Sequence, residues 1–308
     1  MNYAVLFPGQ GSQAVGMLSG HEAPEIAATF DEASSVLGWD VRKLVNEGPA
    51  EELNKTERTQ PALLAASTAL WRLWKSKGKP APAALAGHSL GEYSALVAAG
   101  VLEFAEALKI VELRGQLMQA AVPSGTGGMV AVIGLDDDKV EALCKMYPGS
   151  EVLEPVNYNA PGQVVVAGQT AALEWLLANG KANGARMVMK LPVSVPSHCS
   201  LMRQAAEMLA ERLAQAKFHQ AVIPVLHNLD AQIRTDPDGV RQALKEQLYR
   251  PVRWTQTIQN LHAREISLFM ECGPGKVLCG LGKRILSDAR NLPLEDSAGL
   301  QNALDSVP

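Results

Sequence analysis

Between the apolar run Ala83–Ala86 and a helical stretch through Ala99 stands Gly87-His88-Ser89-Leu90-Gly91. A strand that bends at once into a helix lifts the central side chain clear of the backbone. Glycines on either side remove side chains that would clash in so tight a bend. The helix start beyond it leaves N–H groups free and carries positive dipole character, which suits a developing oxyanion. A plainer reading is a glycine-rich turn with a capping serine. The position between strand and helix favours a nucleophile elbow with Ser89 at its crest.

The same alternation extends along the chain. Tyr3–Phe7 is a continuous apolar run, as expected of a strand covered on both faces, and it ends in the glycine-rich turn Pro8-Gly9-Gln10-Gly11-Ser12-Gln13. A helix is predicted from about Pro61, with Leu63, Ala66, Leu70, Leu73 and Trp74 at helical spacing. Later come a helix over Leu201–Ala216, a strand over Ile223–His227, a helix over Gly239–Leu248, a strand over Ile266–Glu271 and a helix from Lys276. The polar tail after Asp288 suggests no element. This order predicts an α/β fold with a mostly parallel, α/β-hydrolase-like sheet.

Residues 125–191 follow a different rhythm. Strands over Met129–Ile133, Val152–Tyr158, Gln163–Ala167 and Arg186–Leu191, with helices over Asp136–Tyr147 and Thr170–Asn183, give the order β-α-β-β-α-β, the ferredoxin-like pattern. We therefore expect a discontinuous catalytic domain, residues 1–124 and 197–308, carrying an inserted ferredoxin-like domain, residues 125–196. Gly125, Gly127 and Gly128 on one side and Pro192 and Pro196 on the other are the expected hinges.

Composition excludes several classes. With 308 residues, 28 Lys+Arg against 32 Asp+Glu and a net charge of −4, the chain can bury a large core and lacks the basic balance of a nucleic-acid binder. Its apolar runs, such as Ala95–Val101, fall short of the roughly 18–20 residues of a membrane-spanning helix. No Lys or Arg precedes Arg42 and Pro8 interrupts the first apolar run, so no signal peptide is expected. Cys144, Cys199, Cys272 and Cys279 form no CxxC pair and no metal-like spacing with histidine; they read as small buried thiols of a cytoplasmic protein.

A serine nucleophile needs a base. His21, His219 and His262 fall in polar or helical stretches and read as solvated, while His88 adjoins the nucleophile and reads as structural. His227 ends a strand. His198 lies in a proline-punctuated loop, Val193-Ser194-Val195-Pro196-Ser197-His198-Cys199, where catalytic groups often stand. Spacing alone does not choose among them, because triads are defined by geometry. Arg114 shares the apolar face of a helix over Phe104–Met118 with Val111 and Met118. Three readings stand side by side: an internal ion pair, a guanidinium snorkelling to water, or one waiting in a cleft for a ligand carboxylate.

Taken in order, the motifs resemble those of malonyl-CoA:acyl carrier protein transacylases, the malonyl-loading enzymes of dissociated bacterial fatty acid synthesis. The resemblance runs nearly end to end. It rests on Phe7–Gln13, Gln60-Pro61-Ala62, Gly87–Tyr93, Arg114-Gly115, Asn157–Gln163, Pro196-Ser197-His198, Gln247-Leu248-Tyr249 and Gly273–Leu278. It implies that Ser89 is the nucleophile and His198 the general base, with the imidazole held by backbone carbonyls in place of an acidic third member. It further implies an oxyanion hole from the backbone N–H groups of Gln10 and Leu90, a malonyl carboxylate paired with Arg114, a cleft-orienting Gln247 and a cleft-lining Asn159. Malonyl-CoA and an acidic acyl carrier protein are the implied partners, with no metal or other cofactor, no nucleic acid and no membrane, and the protein is expected to be a monomer. Lys181, Arg186, Lys190, Arg203, Lys283 and Arg284 are candidates for a basic docking surface. The same motifs would serve an acyltransferase acting in trans on a polyketide synthase or a subunit of a malonate decarboxylase. A serine esterase and an inactive carrier-binding scaffold are more distant alternatives.

Overall fold

The computed structural model describes residues 2–123, 125–193 and 195–307. The chain first forms β1 (Tyr3–Phe7), α1 (Pro24–Leu37), α2 (Val41–Glu47), α3 (Ala50–Leu53), α4 (Thr56–Ser76), β2 (Ala84–Gly87), α5 (Gly91–Ala98) and α6 (Phe104–Ala120). A middle section follows with β3 (Gly127–Ile133), α7 (Asp137–Lys145), β4 (Leu153–Ala160), β5 (Gln163–Gln169), α8 (Thr170–Asn179) and β6 (Met187–Lys190). The remainder is α9 (Arg203–Gln215), β7 (Val225–Leu226), α10 (Pro237–Gln247), α11 (Trp254–His262), β8 (Leu268–Glu271), α12 (Val277–Ile285), β9 (Arg290–Pro293) and α13 (Ser297–Ser306).

The first and last sections share a five-stranded sheet in the order β7-β2-β1-β8-β9, parallel at every pairing. Its central strand explains the unbroken apolar run at the N-terminus. Successive side chains point to opposite faces, and both faces are covered. Tyr3, Val5 and Phe7 enter a core with Leu63, Leu70 and Trp74 of α4, whereas Ala4 and Leu6 enter another with Trp254 and Ile258 of α11 and Leu278 of α12.

The middle section makes a four-stranded antiparallel sheet, β4-β5-β3-β6, in the expected β-α-β-β-α-β chain order. Val130, Val132, Val164 and Val166 pack on Val140 and Leu143 of α7 and Leu173 and Leu176 of α8. Its opposite face carries Met129, Val165 and Ala167, and meets Cys199. Backbone bonds also tie β4 to the segment before α11: Tyr158 N–H donates to the Val252 carbonyl at 3.0 Å, and Val252 N–H to the Val156 carbonyl at 2.8 Å. Residue 124, where the first expected segment ends, lies outside the described residues, as does Ser194 of the expected catalytic loop.

Several expectations need correction. The helix expected from about Pro61 begins at Thr56, so Pro61 lies inside α4. Proline there lacks an N–H for the helix ladder, but α4 is buried along most of its length, and its packing against the core outweighs the lost bond. The tail after Asp288 contains β9, which becomes a strand by pairing with β8, and α13. Helices α1, α2, α3 and α11 were not expected. His21 is buried, with Nε2 at 3.0 Å from the Leu294 carbonyl, and is not solvated.

Candidate active site

The elbow forms because β1 and β2 run side by side, with Phe7 opposite Gly87. His88 N–H donates to the Phe7 carbonyl at 2.9 Å, and the chain then turns through Ser89 at φ 51°. That left-handed conformation is strained for a residue with a side chain. Both flanking glycines are sterically required: a Cβ on Gly87 would lie 1.9 Å from the Gly91 carbonyl, and one on Gly91 would lie 2.0 Å from the Phe7 carbonyl oxygen. Asn228 pins the bend, accepting from Ser89 N–H at 2.7 Å and donating to the Gly87 carbonyl at 2.6 Å.

His198 reaches this point from the far side of the antiparallel sheet in chain order. Its Nε2 lies 2.8 Å from Ser89 Oγ, and its Nδ1 lies 2.6 Å from the backbone carbonyl of Gln247 at the end of α10. Because a carbonyl only accepts, the proton belongs on Nδ1, leaving Nε2 free to accept from the serine. Burial, with the nearby Arg114 charge adding to it, pushes the imidazole down to about 3, against the opposing pull of the Gln247 carbonyl. The ring is therefore neutral at neutral pH, with Nε2 open to accept a proton.

Arg114 is buried on the face of α6 that its spacing indicated. It does not snorkel to solvent, none of the salt bridges among the described residues includes it, and its guanidinium lies 5.6 Å from the centre of the Tyr93 ring. Neutral oxygens hold it instead: Nη1 donates to Gln60 Oε1 at 2.8 Å and Nη2 to Gln247 Oε1 at 3.0 Å, while Nη2 also lies 3.4 Å from Ser89 Oγ. Its Nε has no protein partner among the described residues. Burial lowers its pKa, while Tyr93 and Glu92 act in the opposite sense. A buried cation without a counter-charge in contact is costly, and a carboxylate entering the cleft would relieve that cost.

A cavity of about 100 Å³ joins these groups, lined by Gln10, Ser89, Leu90, Arg114, Met129 and His198. Met129 comes from the antiparallel sheet, which thus forms one wall. Neither the Gln10 nor the Leu90 backbone N–H donates to a protein acceptor among the described residues. Past Gln10, His88 and Asn157 the space continues into a second cavity of about 170 Å³. Asn159 lines that second cavity, and its Oδ1 accepts from His88 Nε2 at 2.8 Å; an amide oxygen only accepts, so Nε2 carries the proton. A larger groove of about 450 Å³, between Gly16 and Asn46, holds none of these groups.

The structure thus gathers Ser89, His198, Gln10, Leu90, Arg114 and Gln247 around one cleft and puts Asn159 beside it. His227 stands behind it, fully buried with Nδ1 at 2.7 Å from Glu92 Oε1. Sequence reasoning missed Gln60, Glu92 and Asn228 as parts of the site, although Gln60 and Glu92 fall within the motifs that carried the resemblance. All four cysteines are free and buried. The six candidate docking residues are exposed, and Arg284 donates to Gln163 on the antiparallel sheet. Among the described residues no helix is long and apolar enough to cross a membrane.

A strained serine facing a neutral histidine, with free N–H groups alongside, defines apparatus for moving acyl groups. The family model for the acyl transferase domain matches residues 5–305. The chain belongs to this family and is an acyltransferase. It is 52% identical over 304 residues to a malonyl CoA-acyl carrier protein transacylase of Salmonella typhimurium, covering 98% of each chain. It is 43% identical over 293 residues to one from Staphylococcus aureus, covering 93% of each. Among solved structures, a malonyl-transacylase in complex with a type II polyketide synthase acyl-carrier protein superposes with a TM-score of 0.98 at 49% identity, covering 99% of this chain and 100% of that one. A Coxiella burnetii malonyl CoA-acyl carrier protein transacylase gives 0.98 at 44% identity, covering 100% and 98%.

Proposed function

We propose that this acyltransferase moves a malonyl group from malonyl-CoA to the phosphopantetheine thiol of an acyl carrier protein, through a malonyl ester on Ser89. The observation that carries this reading is Arg114: a buried guanidinium, 3.4 Å from the serine hydroxyl, whose hydrogen-bond acceptors among the described residues are neutral oxygens. Its planar fork suits the free carboxylate of a malonyl group.

His198 Nε2 takes the Ser89 proton as the oxygen attacks the thioester carbonyl. The resulting oxyanion is received by the N–H groups of Gln10 and Leu90. The same imidazole returns its proton to the departing coenzyme A thiol. In the second half the carrier's thiol gives its proton to His198, attacks the ester, and Ser89 leaves reprotonated. Each half exchanges one acyl bond for another with no change of oxidation state, so no redox partner is needed, and the steps are written with this chain's own side chains alone. The small cleft and the Arg114–carboxylate pair hold the acyl group in one pose and limit the room for water.

Residues 1–124 and 197–308 act in this reading as the catalytic unit and 125–196 as an insert that walls the cleft, in a cytoplasmic enzyme. The exposed Lys181, Arg186, Lys190, Arg203, Lys283 and Arg284 are offered as the docking side for an acidic carrier. The match to a transacylase bound to a polyketide carrier supports a second reading, in which the acceptor belongs to a polyketide synthase. Separate incubations with malonyl-CoA, acetyl-CoA and methylmalonyl-CoA, followed by mapping of the modified residue and transfer to fatty-acid or polyketide carriers, test both. Malonyl on Ser89 is the expected result; preferential acetyl loading rejects the substrate assignment.

A further inference from the structure

Glu92 takes no part in the steps above, yet it is fully buried directly behind them. One oxygen accepts from His227 Nδ1 at 2.7 Å. The other accepts from the Asn228 backbone N–H at 2.9 Å and from the side-chain nitrogen of Gln247 at 2.8 Å. Gln247 Nε2 donates as well to the Ser89 carbonyl at 3.0 Å, while Gln247 Oε1 accepts from Arg114 Nη2 at 3.0 Å.

A glutamine amide can stand in two polarities related by a half-turn, and its surroundings choose between them. Here the choice is forced. A reversed amide would put Gln247 Oε1 against two acceptors, Glu92 and the Ser89 carbonyl. It would also put Nε2 against a guanidinium that can only donate. In a buried place such losses are not recovered from water.

We propose that Glu92 is a positioning residue for acyl selectivity: through Gln247 it turns an amide oxygen toward Arg114, which orients the guanidinium without neutralising it. This rests on the reading of Arg114 as the carboxylate receptor. A carboxylate in the place of that amide would pair with Arg114 and compete with the substrate for it. Gln60 supplies the same kind of neutral oxygen from the other side. The backbone carbonyl of Gln247 holds His198, so one residue steadied by Glu92 serves both the base and the cation.

The test compares Glu92→Gln, Glu92→Asp and Glu92→Ala in the full chain, by kcat/KM for malonyl-CoA and acetyl-CoA, with thermal melting alongside. Glutamine at 92 can keep an oxygen toward Asn228 and Gln247, because the Asn228 N–H fixes its polarity, and its nitrogen can face the other tautomer of His227. Aspartate is one methylene shorter and withdraws from Gln247. We expect Asp and Ala to lower the malonyl-to-acetyl ratio by about tenfold or more, and Gln to keep it within about threefold. If Ala does not fold, the contrast between Asp and Gln decides alone. Parallel losses for both acyl groups, an unchanged ratio in Asp, or a Gln variant that shifts as far as Asp overturns the role. A wild-type chain without malonyl preference, or an Arg114→Ala variant that keeps it, overturns the reading of Arg114 and this role with it. Sensitivity at Arg114 with indifference at Glu92 overturns this role only.

Discussion

His198 Nδ1 donates to the main-chain carbonyl of Gln247 at 2.6 Å, in the place where a hydrolase triad has a carboxylate. A dipole there fixes the ring's tautomer and direction. It does less than an anion would to stabilise the imidazolium that forms on proton transfer. The neighbouring Arg114 charge opposes that imidazolium further. A malonyl carboxylate on Arg114 would cancel the opposing charge, so the substrate that fits the cation also strengthens the base.

Ser89→Ala should abolish covalent labelling by malonyl-CoA, because no other hydroxyl in the cleft is hydrogen-bonded to the His198 ring among the described residues. Intact-mass spectrometry after brief incubation checks this. A retained malonyl adduct would place the nucleophile elsewhere.

Arg114→Ala should lower the malonyl-to-acetyl ratio of kcat/KM by at least about tenfold, the scale for losing a charged hydrogen-bonded contact. Competition between the two thioesters measures the ratio directly. No change would remove Arg114 from substrate recognition.

The pH profile should carry the mark of the depressed histidine. A lowered pKa keeps the imidazole neutral in acid, so the acid limb of kcat/KM should lie well below the usual histidine range, toward about 3. Arg114→Ala removes one cause of the depression, so the limb should move to higher pH. A shift toward lower pH, or a wild-type limb near 6.5, would contradict the electrostatic picture.

Glu271 offers a separate test of the fold. Its carboxyl accepts from the N–H groups of Leu278 and Cys279 at 3.0 and 2.8 Å, and burial raises it from 4.5 to about 7. The folded pKa lies above the unfolded one, so its stabilising contribution is complete below about 4.5 and is lost as pH rises to about 7. Glu271→Gln, which stays neutral, should flatten that decline by up to roughly 3 kcal/mol. Melting temperature followed across the interval reads the slope; an identical slope in the variant would refute it.

The parts of the site most legible in the sequence were those fixed by local geometry. Gly87–Gly91 advertises its bend because the steric demand falls on its own glycines, and Arg114 shows its burial through the spacing of Val111 and Met118. Asn228 gave no such signal, since its task is a contact with Ser89 made across 139 residues. The tail strand β9 was illegible for a related reason: its identity comes from pairing with β8. Helix α1 is locally encoded, with Ile26, Phe30 and Ala33 on one face, Pro24 at its start and Gly38 at its end. Pro61 suits a helix start by local preference, and in α4 tertiary packing overrides that preference.

The serine and its imidazole are separated by 109 residues, and the amide that steadies the guanidinium lies 158 residues beyond the bend. A chain cut short before residue 247 lacks both the carbonyl that tethers the His198 ring and the amide that orients the Arg114 guanidinium. Base and cation alike therefore depend on one residue that comes late in the polypeptide.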